Sequence, residues 1–228
     1  MVEAKRRHAR IMRNTRGARQ PAARFCPVVS WSMRGARRTV TAMEDIVRFT
    51  IRGFLSPAEC DAWITLAEAM GFEDAPVTTA FGPVHMPHTR NNTRVMLDDV
   101  PRAVALWSRL RPHLPVDDRS DGGWRPVGLN ERLRFYRYTP GQVFRWHRDG
   151  AFVRDARERS ELTFLVYLDD DCDGGATEFE DAVVKPERGT ALVFSHWMRH
   201  QGALVTRGVK HVLRSDVMFR RLADEALV

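Results

Sequence analysis

Residues 134–150 read RFYRYTPGQVFRWHRDG. Two short runs of aromatic and β-favouring residues flank Thr139-Pro140-Gly141. The stretch therefore predicts a strand, a turn and a second short strand running into Gly150. His147 and Asp149 stand two apart at the end of that second strand. Positions i and i+2 of a strand project from one face, so both side chains can reach one metal ion. Further along the chain, ELTFLVYLDD at 161–170 is the most apolar segment and reads as a central strand. Beyond it lie DCDGGATEFED (171–181), AVVKPERG (182–189), TALVFSHW (190–197), RHQGALVTRG (199–208) and VKHVLRSDVMFR (209–220). Short strands at even spacing, parted by Gly, Pro and Asp turns, predict a β-barrel or jelly roll.

Upstream of residue 130 the pattern changes. DIVRFTIRGF (45–54) is strand-like. Ser56, Pro57 and Glu59 then form a capping-box start for a helix in which Cys60, Trp63, Ile64, Ala67 and Met70 recur at helical spacing, with Gly71 as its stop. Residues 73–93 carry three prolines and no period, and read as a long irregular loop with short strand pieces. A second helix is expected over Arg102–His113, and residues 115–128 read as turn-rich. Helices placed only before the strands make the fold class α+β, a double sheet backed by N-terminal helices.

Composition narrows the possibilities. The chain has 228 residues, 43% of them hydrophobic, enough for a real core and too many for a largely disordered protein. No apolar run approaches the ~18–20 residues of a membrane helix. Three scattered cysteines, Cys26, Cys60 and Cys172, make neither a disulfide framework nor a zinc ribbon, and point to a reducing, cytoplasmic setting. The net charge of +7 is misleading, because residues 1–42 hold eleven Lys/Arg against one acid, Glu3, and the remaining chain is mildly acidic. Nucleic-acid binding is therefore not expected of the folded domain, nor is membrane association. Residues 1–42 are expected to be a basic disordered tail, with organelle targeting and upstream sequence outside the working protein as the competing readings, and residues 43–228 the working domain, its β core at about 130–220.

A third ligand for the His147/Asp149 pair has to come from elsewhere, and His200 lies three or four strands later. Two histidines and one carboxylate on one side of an ion leave three positions open, the arrangement suited to non-haem Fe(II) that binds a co-substrate and O₂ together. H-x-D alone is a weak signal, and zinc sites and HD-type hydrolases also place His near Asp. His196 and His200, four apart, would resemble a zinc pair on a helix, but their flanks are strand-like. His85, His88, His113 and His211 lack any such partner and read as structural. Phe144, Trp146 and Trp197 read as barrel packing.

The landmarks around H-x-D are more specific than the pair itself. RFYRYTPGQVFRWHRDG, LTFLVYLDDDCDGGATEF and PERGTALVFSHWMRHQGALVTRGVKHVLRSDVMF together resemble the 2-oxoglutarate- and Fe(II)-dependent dioxygenase superfamily, in its prolyl 4-hydroxylase-like branch. The resemblance covers about ninety residues, 131–219. It implies a double-stranded β-helix, a jelly-roll or cupin-like barrel, and the cofactors Fe(II), 2-oxoglutarate and O₂, with ascorbate as a possible addition. It implies that His147, Asp149 and His200 bind the metal, and that Lys210 takes the far carboxylate of 2-oxoglutarate, helped by Tyr138 and Thr177. Arg214, four residues beyond Lys210 on the same strand face, is a second candidate cation, with an ion pair to a carboxylate as its competing reading. Arg90 and Asn91 fall where that family borders its substrate mouth, and are the substrate candidates.

The implied reaction is hydroxylation of a C–H bond coupled to conversion of 2-oxoglutarate into succinate and CO₂. Two other readings stay open at this point: a zinc or manganese hydrolase or isomerase on a cupin-like fold, and a non-catalytic module on a dioxygenase fold. The set Tyr138/Thr177/Lys210 speaks against the first, and the intact triad against the second. The primary substrate and the oligomeric state are not specified by the sequence.

Overall fold

The computed structural model describes residues 47–79, 81–114 and 123–221. The expected basic tail and its boundary at residue 43 lie outside the described residues.

The elements in chain order are β1 (Arg48–Ile51), α1 (Pro57–Met70), β2 (Glu73–Asp74), β3 (Val77–Thr79), β4 (Gly82–Val84), β5 (Thr93–Asp98) and α2 (Val100–Leu110), which runs into a 3-10 turn at Arg111–His113. Then follow β6 (Trp124–Leu129), β7 (Arg132–Tyr138), β8 (Phe144–His147), β9 (Val153–Asp155), β10 (Glu158–Tyr167), β11 (Cys172–Gly174), β12 (Thr177–Phe179), β13 (Val183–Val184), β14 (Ala191–Ser195), β15 (His200–Gly202), β16 (Val205–Gly208) and β17 (Lys210–Arg221). The major sheet runs β1-β14-β10-β17-β7-β5-β2 and the minor sheet β13-β12-β15-β8, with antiparallel pairing throughout. This is a double-stranded β-helix whose sheets are separate ladders, not a closed barrel. As expected, β10 is central, flanked by β14 and β17.

Alternation along each strand divides the core in two. On β7, Leu133 and Phe135 face the helices and join Phe164, Leu213, Leu106 and Leu110. Tyr136 and Tyr138 face the minor sheet and join Tyr167, Phe179, Phe194 and Val212. Each fully buried large apolar side chain contributes roughly 1.5–3 kcal/mol over exposure. Helix α1 starts as its sequence demands. The Ser56 hydroxyl accepts from the Glu59 amide at 3.3 Å, and Glu59 accepts from the Ser56 amide at 2.8 Å. The same carboxylate takes Arg109 of α2 at 2.6 Å, tying the helices together. Gly71, at φ 81, ends the helix in a conformation that favours glycine.

Two upstream readings need correction. The second helix begins at Val100, because Asp99 caps the amide of Arg102 at 2.8 Å and Pro101 is tolerated in a first turn that has no amide partner. The supposedly turn-rich stretch ends in a strand, β6, despite Pro126 and Gly128. It pairs with β17 alone, across an irregularity between Met218 and Phe219, and a strand with a single neighbour can carry a residue without an amide hydrogen. No helix among the described residues is long and apolar enough to cross a membrane.

Candidate active site

β8 and β15 are neighbours in the minor sheet, with His147 directly opposite His200. Asp149 follows the end of β8 and is held there by its amide, which donates to the His196 carbonyl at 3.0 Å. Pairing and turn together bring the three predicted residues to one place. One donor atom from each of His147, Asp149 and His200 lies within 4.8 Å of the others. His147 Nε2 is 3.6 Å from one Asp149 oxygen, and His200 Nε2 is 3.7 Å from the other.

Both rings are oriented for a metal. His147 Nδ1 lies 2.7 Å from the Arg145 carbonyl and His200 Nδ1 lies 3.0 Å from the Met198 carbonyl. A carbonyl can only accept, so each Nδ1 carries a hydrogen and Nε2 is the nitrogen that faces Asp149. Burial, only partly offset by Asp149, pushes the His200 imidazole down to about 4, so it is neutral at physiological pH. Burial alone would raise the Asp149 carboxyl. The Arg214 guanidinium and the two histidines outweigh it and hold that carboxyl well below the usual carboxylate range. Two imidazoles and one ionised carboxylate are the donor set that divalent iron accepts.

Asp149 is oriented by a hydrogen-bond relay that the sequence reading missed. The Phe152 amide donates to Ser160 Oγ at 2.8 Å, and Ser160 Oγ lies 2.8 Å from His196 Nε2. His196 Nδ1 lies 3.0 Å from Thr163 Oγ1, which donates to Asp149 at 2.5 Å. With an obligate donor at one end and an acceptor at the other, the direction of every hydrogen follows. Both ring nitrogens of His196 are thus engaged, and the residue stands two hydrogen bonds behind Asp149. Ser160 and Thr163 stand three apart, which in a regular strand would put them on opposite faces. A β-bulge at Glu161 restores them to one face, and the Glu161 carbonyl accepts from the His196 amide at 3.0 Å.

A pocket opens beside the triad, lined by Tyr136, Tyr138, Thr177, Lys210 and Arg214 among others. Lys210 is 2% exposed, and its ammonium donates to the Gly175 carbonyl at 2.5 Å and lies 4.9 Å from the Tyr138 ring. No carboxylate pairs with it among the described residues, and burial pushes it down to about 8. Gly175, in the GGAT segment, sits at φ +64, and a Cβ there would lie 3.0 Å from the Lys210 stem. That glycine is thus part of the lysine's seat. The Thr177 hydroxyl accepts from Tyr167 at 2.7 Å, a buried partner also missed from sequence. Arg214 is occupied differently. It lies 3.0 Å from Asp149 and 3.3 Å from Asp216, the ion-pair alternative weighed for it.

Of the substrate candidates, Arg90 is buried, its guanidinium 4.5 Å from the Tyr136 ring and 4.4 Å from the Phe144 ring. The Asn91 amide is spent on the β7–β8 turn, donating to Gly141 at 3.1 Å and accepting from Val143 at 2.7 Å. Phe144 is buried as expected and stacks on His147 at 3.6 Å. Trp146 and Trp197 are instead exposed, at 37% and 43%, and neither lines the pocket.

Residues 133–215 match the family model of the 2OG-Fe(II) oxygenase superfamily. That segment is similar to a 2OG-Fe(II) oxygenase domain. Prolyl 4-hydroxylase 1 of Arabidopsis thaliana is 25% identical over 185 residues, covering 73% of this chain. The chain spans 59% of that relative's length. Among solved structures, the fold is similar to the collagen prolyl hydroxylase of Paramecium bursaria Chlorella virus-1 in complex with 2-oxoglutarate, with a TM-score of 0.55 and 23% identity over 76% of this chain and 96% of that one. It is also similar to a Pseudomonas putida prolyl-4-hydroxylase, with a TM-score of 0.57 and 20% identity over 76% and 92%. The 2OG-Fe(II) oxygenase family implies Fe(II), 2-oxoglutarate and O₂ as the reagents of this site.

Proposed function

We propose that the chain is an Fe(II)- and 2-oxoglutarate-dependent dioxygenase that hydroxylates a C–H bond of its substrate and releases succinate and CO₂. One observation carries the reading. The His147/Asp149/His200 cluster shares a pocket with Lys210, a buried cation to which no carboxylate is bound among the described residues. A metal-site hydrolase has no use for that cation, whereas a dianionic co-substrate needs one.

In this reading His147, Asp149 and His200 hold Fe(II), which together with 2-oxoglutarate and O₂ supplies the oxidising equivalent for C–H hydroxylation. The chain's own work is to bind and orient. Arg214 and Thr163 hold the Asp149 carboxylate in place, so the side chain is set before any ion arrives. Lys210 binds the far carboxylate of 2-oxoglutarate, with the Tyr138 and Thr177 hydroxyls as further hydrogen-bond partners. The aromatic walls Tyr136, Phe144 and Phe194 keep bulk water from the reacting centre. Ascorbate would serve only as a reductant that sustains turnover. The names of the relatives make a prolyl residue, or a molecule of that kind, the first substrate to try. The working domain is placed at residues 43–228.

The direct test is slow succinate formation from 2-oxoglutarate by the Fe(II)-loaded protein without added substrate. Absence of both succinate and 2-oxoglutarate binding would refute the reading. A pH dependence follows from Lys210. Its ammonium is held at about 8 in the ligand-free protein, so the binding form dominates below that pH and is lost above it. The affinity for 2-oxoglutarate should be flat from pH 7 to 8. It should then fall by up to about tenfold per pH unit, with uptake of a proton on binding. Calorimetry of the Mn(II)-loaded protein in two buffers of different ionisation enthalpy measures both effects.

A further inference from the structure

Strand β8 carries a metal ligand on only four residues, and both of its edges are braced. One edge pairs with β15, where Phe144 and His147, three apart, face Gly202 and His200, two apart. The extra residue makes a β-bulge. A regular strand would point Phe144 and His147 to opposite faces, and the bulge brings them to one. Their rings stack there with centres 3.6 Å apart. Along the other edge, residues 88–91 take the place of a neighbouring strand. Arg90 bridges to Phe144, the Arg145 amide donates to the Thr89 carbonyl at 2.9 Å, and the Asn91 amide donates to the Val143 carbonyl at 3.3 Å. The Arg145 guanidinium donates to the His88 carbonyl at 2.8 Å.

The Arg90 side chain carries this brace inward. It is buried, its Nε donates to the Asn92 side chain at 2.8 Å, and the guanidinium lies 4.5 Å from the centre of the Tyr136 ring and 4.4 Å from that of Phe144. Among the described residues two rings, and no carboxylate, flank this cation. A planar cation held over an aromatic face restrains that ring. Tyr136, Arg90, Phe144 and His147 thus pack one against the next. The other histidine of the cluster has different walls. His200 is buried against Phe179 and Phe194, whereas His147 is half-buried. Among the described residues, Phe144 is the one ring outside the metal cluster that stacks on His147.

We propose that Arg90 is a positioning residue for the metal site: it pins the Phe144 ring and, through it, fixes the plane of the His147 imidazole. The proposal rests on the reading of His147, Asp149 and His200 as metal ligands. It gives the segment before β5 the task of holding the ligand strand.

The test is calorimetric titration of the full chain with Mn(II), which needs no turnover. Arg90→Met, similar in length but uncharged, should weaken Mn(II) binding about fivefold. A cation acting only through its field would do the reverse, because removing a charge of the metal's own sign tightens binding. Tighter or unchanged binding would therefore overturn the proposal. Phe144→Leu should weaken binding about tenfold, the low end for groups that support a ligand. In the Phe144→Leu background, Arg90→Met should have no further effect, since the ring it acts through is gone. An equal effect with and without Phe144 would overturn the proposal. Arg90→Lys, which keeps a cation between the rings, should recover most of the affinity, and a lysine variant no better than methionine would overturn it too. At saturating Mn(II), the Arg90→Met protein should bind 2-oxoglutarate as the wild type does, because Lys210 is untouched. A general loosening of the fold would weaken both ligands and would count against a positioning role. Should Arg90→Met fail to fold, Arg90→Gln, planar and uncharged, carries the same comparisons. A wild type that binds no Mn(II) would refute the metal-site reading, and the proposal with it.

Discussion

Alanine in place of His200 is expected to cost the protein its divalent metal, with an affinity loss of about a hundredfold or more. Changes to groups that merely support a ligand already cost about 10–100-fold, and His200 supplies the donor atom itself. The stability penalty should be that of a cavity, because the buried ring packs against Phe179 and Phe194. The ring carries no charge at neutral pH, and apart from its carbonyl partner it leaves no buried ion behind. Asp149→Ala should differ in kind. It removes the carboxylate that faces Arg214 at 3.0 Å, and a buried guanidinium left with only the more distant Asp216 costs on the order of 3 kcal/mol of stability. Titration with Mn(II), read beside thermal unfolding, separates the two. His196→Ala should sit between them and the wild type, weakening metal binding by the smaller, supporting amount. If His196→Ala abolished binding while His200→Ala spared it, the third ligand would be His196.

Lys210→Met is expected to raise the apparent KM for 2-oxoglutarate by tens of times while leaving metal affinity almost unchanged. The variant strands a carboxylate in an apolar pocket. Breaking such a pair costs about 2–5 kcal/mol, at about 1.4 kcal/mol per factor of ten. Tyr138→Phe removes a single hydrogen bond to a charged group, worth roughly 1.5–3 kcal/mol, and should act in the same direction more weakly. A 2-oxoglutarate titration at saturating metal decides the matter. If Lys210→Met kept a wild-type KM and Arg214→Met lost it, the carboxylate would lie on Arg214, despite the two carboxylates that Arg214 already faces. If neither variant changed KM, the co-substrate would not be 2-oxoglutarate bound in this way.

What could be read from the sequence was whatever depends on local spacing. The capping box at Ser56, the central place of residues 161–170 and the common face of His147 and Asp149 follow from periodicity and turn chemistry alone. The resemblance carried His200, Lys210, Tyr138 and Thr177, which no local pattern links. Hidden were the features that arise only when strands pair. The Ser160–His196–Thr163 relay depends on a bulge, and a bulge has no compositional mark. The partner of Arg214 could not be chosen, because Asp149 follows a strand of the other sheet. Strand β6 was lost because Pro126 and Gly128 argue against a strand in any sequence window. Only the knowledge that it has a single neighbour removes the objection.

Strand β17 has a consequence for how the molecule opens. Alternate residues along it serve opposite faces. Lys210, Val212 and Arg214 look into the pocket, while Leu213 and Val217 belong to the core beneath the helices. It is paired along one edge with β10 and along the other with β7 and β6. The backbone that carries Lys210 and Arg214 should thus be among the last of the described residues to exchange its amide hydrogens with solvent. Local fraying reaches the hairpin β3–β4 and the surface loops at little cost, but it can reach Lys210 only by dismantling the major sheet. Lys210 and Arg214 are therefore held at a fixed spacing by the major sheet, while His147 and His200 ride on the short strands of the minor sheet.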